Sequence, residues 1–176
     1  MTLKLQHPFT LIVAGPSSCG KSAFVIRLLE CREQLCDILF KNIVWCHSEN
    51  NAPHHLQNVS FGKGVPDFSN PENLTALIVL DDLMDSAYTT EVSELLTKGS
   101  HHSNIVLVLI RQNVFHQCPS SRDISLNRKY IVVFKNPRDK TQIGTWLDNC
   151  NLKTFLVFIK RTSKLVKTRT VIYSWM

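Results

Sequence analysis

The sequence predicts an α/β fold with a mostly parallel central sheet flanked by helices. Three observations lead there. Short apolar runs at 9–14, 42–46, 74–82, 104–110 and 130–134 are each long enough for one buried strand. Helical or loop-like segments separate them, so strand and helix alternate along the chain. Three of the runs end in residues able to do chemistry: a glycine-bounded loop, a pair of carboxylates and a glutamine. Ligands of parallel sheets gather at such carboxyl ends.

At 176 residues, 44% of them hydrophobic, the chain is expected to form one domain with a full core. Met1 to His7 is too short and mixed for a secretory signal, and no apolar run approaches the ~20 residues that span a bilayer. No membrane association and an intracellular, non-secreted protein are therefore expected. Cys19, Cys31, Cys36, Cys46, Cys118 and Cys150 form no C-x-x-C pair, which speaks against a zinc ribbon or a disulfide framework. The net charge of +6 is uneven. Residues 149–176 carry Lys153, Lys160, Arg161, Lys164, Lys167 and Arg169 with no acid, and the rest of the chain is neutral. Such a tail either binds nucleic acid or is a solvated charged end.

The first run, Phe9 to Ala14, leads into Gly15-Pro16-Ser17-Ser18-Cys19-Gly20-Lys21-Ser22. This fits the G-x-x-x-x-G-K-[ST] phosphate loop. A helix is expected over Ser22 to Arg32, with Phe24, Val25, Leu28 and Leu29 on its apolar spacing. Gly15 and Gly20 let the backbone turn without Cβ clashes. The loop N–H groups then converge on a phosphate at a helix N-terminus. Lys21 is the candidate for the β- and γ-phosphates of ATP, and the Ser22 hydroxyl for Mg²⁺.

Asn42 to Cys46 reads as the second strand, with His47-Ser48-Glu49-Asn50 as its polar exit. Residues 51–73 are rich in Asn, Pro, Gly and Ser and are expected to be connecting loop. The third strand delivers Asp81 and Asp82, about 60 residues after the phosphate loop. Asp81 is the candidate for Mg²⁺, and Asp82 for polarising the attacking water.

Ser86 to Lys98 is expected to be a helix stopped at Gly99. The neighbours His101 and His102 diverge, and no third ligand stands near them, so a metal site there is disfavoured. The fourth strand ends in Arg111-Gln112-Asn113. Gln112, with Asn113 second, is the candidate to sense the γ-phosphate or position water. Arg122 lies in the loop region 118–127 and is a candidate arginine finger, within its own subunit or across to a neighbour. Tyr130 to Phe134 is the fifth strand, and Asn136-Pro137-Arg138-Asp139 caps a following helix. The agreement of three strand ends predicts an active P-loop NTPase; the narrower ASCE, RecA-like kind is what the family resemblance below implies.

The motif order also resembles a family. HPFTLIVAGPSSCGKS (7–22), FGKGVPDF (61–68), LIVLDDLMDSA (77–87), LLTKGSHHSN (95–104), IRQNVFHQ (110–117), RDISLN (122–127) and FKNPRDK (134–140) are similar to blocks of viral DNA-packaging ATPases. These belong to the FtsK/HerA superfamily, in its poxvirus-like branch of Maverick/Polinton and adintovirus type. The resemblance implies a homo-oligomeric ring that hydrolyses ATP to move double-stranded DNA, without sequence preference, into a capsid. It implies a capsid or portal-vertex partner and a viral assembly site in the host nucleus or cytoplasm. It places Lys21, Ser22, Asp81, Asp82 and Gln112 in the roles given above, with Arg122 as the finger.

The likeness covers about residues 7–147. The expected division is therefore an ATPase domain over 1–148 and a basic, atypical segment over 149–176. Phe155–Ile159 and Thr170–Tyr173 in that segment are β-like, consistent with a hairpin completing the sheet or with a truncated end. Two alternatives stand beside the motor. One is a decayed transposon-derived fragment that binds nucleotide or DNA without turnover. The other is a P-loop small-molecule kinase, against which the lack of an Arg-rich lid speaks.

Overall fold

The computed structural model describes residues 4–48, 53–64, 76–83, 105–112, 130–134, 155–159 and 171–173. The strands are β1 (Thr10–Ala14), β2 (Asn42–His47), β3 (Ser60–Lys63), β4 (Ala76–Asp81), β5 (Val106–Arg111), β6 (Tyr130–Phe134), β7 (Phe155–Ile159) and β8 (Val171–Tyr173). Helices α1 (Lys21–Glu30) and α2 (Arg32–Leu35) lie between β1 and β2. The expected helices at 86–98 and after 139 fall outside the described residues, as do Asn113, Arg122, His101 and His102.

Among the described residues eight strands form one sheet in the order β3-β2-β4-β5-β1-β6-β7-β8. Every neighbouring pair is parallel except β7 with β8, which is antiparallel. From β1 the chain crosses to one side for β2 to β5, then returns past β1 to β6 on the other. β1 is thus the switch point, and its carboxyl end is where the crevice opens. One strand, β5, separates β1 from β4, as the RecA-like order requires.

The central strands are apolar without alternation because both faces of the sheet are buried. In β1 and β6 all five residues are buried, and in β5 all six. One face joins Leu11, Val13, Trp45, Val79, Val108 and Val132 to Val25, Leu28 and Leu29 of α1. On the other, Ile12, Ile78, Leu80, Leu109 and Ile131 are at most 3% exposed. Each such aliphatic side chain contributes roughly 1.5–3 kcal/mol on burial.

Two expectations are corrected. The segment 51–73 is not wholly loop: Ser60–Lys63 forms β3, parallel to β2 from Val44↔Ser60 to His47↔Lys63. Ser-Phe-Gly-Lys has one large apolar residue, and an edge strand buries too little to need more. The helix expected over 22–32 starts one residue earlier and stops at Glu30. Cys31 leaves helical geometry (φ −97°, ψ 12°), and a separate turn, α2, follows. The β-like runs at 155–159 and 170–173 do join the sheet, as the antiparallel pair β7 and β8 beside β6.

Candidate nucleotide and metal site

The phosphate loop is built by close packing against β6. A Cβ on Gly15 would lie 2.6 Å from the Phe134 Cβ and 2.9 Å from the Cys19 Sγ, so no side chain fits there. Phe134 in turn meets Phe24 of α1 edge-on, with ring centroids 6.2 Å apart. The loop therefore rests on an aromatic floor shared by β6 and α1. Gly20 sits at φ 102° as the N-cap of α1, a conformation that glycine adopts without strain. Its carbonyl accepts from the Phe24 N–H at 2.9 Å and starts the helix.

No side chain caps α1, and its first turn carries no acid. The first N–H groups of the helix are left facing the crevice, with the dipole behind them. That arrangement favours an anion. Lys21 Nζ donates to the carbonyls of Gly15 (2.8 Å) and Pro16 (2.9 Å), which folds the side chain over the loop.

A cleft of about 270 Å³ opens above the loop. Ser17, Ser18, Lys21 and Ser22 form its loop side; Asp81, Asp82 and Gln112 form its strand side, with His47 and Ser48 beside them. The sequence-predicted loop, acid pair and glutamine thus meet in one place. Pro16, Cys19, Gly15 and Gly20 shape the loop rather than line the cleft, and Arg122 lies outside the described residues.

The two carboxylates differ. Asp81 is the last residue of β4, in register with His47 of β2. Burial raises its pKa and the adjacent Asp82 raises it further, while Trp45, Lys21 and His47 draw it down. The Trp45 indole N–H is buried and falls short of a full hydrogen bond, yet it lies close enough to Asp81 to favour the anion. Asp82 begins the exit from the strand at φ 51°. Its N–H still reaches the Ile110 carbonyl at 3.3 Å. Its Oδ2 accepts from Gln112 Nε2 at 2.9 Å, and its buried Oδ1 has no hydrogen-bond partner. Gln112 is therefore coupled directly to the second carboxylate.

Oxygen donors from Ser22 and Asp81 suit a hard divalent cation. Among the described residues no group of three His, Cys, Asp or Glu side chains comes together to hold a metal. A metal here needs ligands from elsewhere, which fits Mg²⁺, an ion that keeps waters and shares substrate phosphates. The sequence reading missed two cleft residues, His47 and Ser48. Their signal was positional, because they end the strand next to the acid-bearing one.

The fold and loop together define the α/β class of P-loop NTPases. No family model matches the chain, and a search of curated proteins gives no match. Among solved structures, the cytoplasmic domain of EssC is similar, with a TM-score of 0.51 at 14% identity. The likeness covers 94% of this chain and 39% of that one, so the chain spans about two fifths of the length of that structure. At this identity the likeness carries the fold alone.

Proposed function

We propose that the chain is an ATPase whose cleft holds Mg·ATP between the phosphate loop and the β4 and β5 ends. The observation that carries this is the meeting of Lys21, Ser22, Asp81, Asp82 and Gln112 in one cleft from three separate segments. The N–H groups at the start of α1 receive the β-phosphate. Lys21 exchanges its two carbonyl partners for β- and γ-phosphate oxygens, where its charge offsets the negative charge of the transition state. Ser22 and Asp81 hold Mg²⁺, which supplies charge neutralisation to the phosphates when bound. Asp82, steadied by Gln112, is the carboxylate that polarises the attacking water.

The work coupled to hydrolysis is the translocation of double-stranded DNA by a homo-oligomeric ring, with a capsid or portal-vertex protein as its partner. The motif order at 7–22, 77–87, 110–117 and 122–127 supports this reading through its resemblance to viral packaging ATPases. The basic surplus in residues 149–176 is consistent with backbone contact. The test is steady-state ATPase activity with and without duplex DNA at low salt. Duplex of any sequence is expected to raise turnover, and the increase is expected to fall as salt is added. Turnover that is indifferent to DNA at low salt sinks the translocation reading and leaves the ATPase standing.

A further inference from the structure

His47 has no part in the reading above, yet the structure builds a place for it. It closes β2 in register with Asp81, so in the parallel pair the two side chains leave the same face of the sheet side by side. It lines the cleft with Lys21, Ser22 and Asp81. Its carbonyl accepts from the Gly64 N–H at 3.1 Å, just beyond β3. Its ring meets His54 edge-on at 6.3 Å, and His54 packs on Phe61 of β3 at 4.6 Å. The imidazole is thus held from behind by β3 and the turn before it. Its Nδ1 is buried without a hydrogen-bond partner, so the nitrogen left to meet water is Nε2.

Direct coordination does not fit. Among the described residues no third His, Cys, Asp or Glu joins His47 and Asp81, and Mg²⁺ prefers oxygen. What fits is a polar ring beside a metal-binding carboxylate, at a site where the ion keeps several waters. We infer that His47 is an outer-sphere residue of the metal site, hydrogen-bonding a metal-bound water next to Asp81 and so fixing the metal on the nucleotide. This rests on the reading of the cleft as an Mg·ATP site. His47 acts through water, so it is a positioning residue.

The test is Mn²⁺ binding to the full chain in the presence of ADP, read by electron paramagnetic resonance. ADP binding in EDTA is measured in parallel. His47→Ala is expected to weaken Mn²⁺ binding about 10-fold, the lower end for loss of an outer-shell partner. ADP affinity in EDTA is expected to be unchanged. His47→Gln, which keeps a hydrogen-bonding group, is expected to recover most of the loss and guards against misfolding of the alanine variant. Unaltered Mn²⁺ binding in His47→Ala overturns the proposal. So does an equal loss of metal-free ADP binding, which marks a merely structural role. Wild-type chain that binds Mn²⁺ with ADP but turns over no ATP sinks the ATPase reading and leaves this one intact. Wild-type chain that binds no Mn²⁺ sinks both.

Discussion

The Asp81 carboxyl carries a cost that the fold accepts for its chemistry. Burial first, and the Asp82 charge second, raise its pKa above the ordinary carboxylate value. A carboxyl whose folded pKa is raised stabilises the fold only while protonated. That contribution is complete below the unfolded value, about 3.9, and is lost as pH rises through the higher folded value. Asp81→Asn is therefore expected to melt at higher temperature than wild type at pH 7 in EDTA. The gain is expected to vanish toward pH 3. Thermal melts across that range check it, and adding Mg·ADP is expected to raise the melting temperature of wild type but not of the variant.

Thiol reactivity is a second residue-scale consequence. Burial pushes the Cys36 and Cys46 thiols up to about 11. Cys19 and Cys31 are only partly buried. Alkylation at pH 8, followed by mass spectrometry, is expected to label Cys19 and Cys31 well before Cys36 and Cys46. Mg·ADP is expected to shield Cys19, which lies in the phosphate loop. The loop residues were legible in the sequence because a strong local pattern marks them; Asp81, Asp82 and Gln112 were reached through their places at strand ends that follow such a loop. His47 was not: a single histidine after a strand has no pattern, and only the β2–β4 register brings it to Asp81.

At the scale of elements, the contact between the phosphate loop and β6 sets the shape of the cleft. The Gly15 position has no room for a methyl group because the Phe134 Cβ, next to the backbone, cannot swing aside. Gly15→Ala is expected to cost about 1–3 kcal/mol by overpacking and to weaken ATP binding by distorting the loop. Urea unfolding and nucleotide titration measure the two effects. Element boundaries explain what the sequence reading could reach. β1, β5 and β6 are fully buried and, but for Thr10 and Arg111, made of apolar and aromatic residues, so their pattern is plain. β3 lies at the sheet edge with a glycine at Gly62 and exposed ends, and its strand character comes from pairing with β2 rather than from its own composition.

At the scale of the whole molecule, β7 and β8 extend the sheet beyond β6. β7 pairs with β6 along all five residues, from Tyr130↔Phe155 to Phe134↔Ile159. A chain ending at Asp148 lacks this partner and leaves β6, the strand that floors the phosphate loop, as an apolar edge. It is expected to aggregate or melt lower than the full chain, as light scattering and thermal melts would show. The parallel α/β architecture was legible because strand and helix alternate. The pairing of β5 with β4 was expected from the class, but the strand β3 beside β2 was not, since its place depends on packing between distant segments.

The central claim is that these strand ends form one working ATPase site. Its most direct test is Mg²⁺-dependent ATP turnover by the full chain beside Lys21→Ala, with both confirmed as folded. The account predicts turnover by the wild type and a loss of about 10²-fold or more in the variant, the scale for removing a charge-stabilising group. Equal turnover in the two proteins, or none in the folded wild type with Mg²⁺, would contradict it.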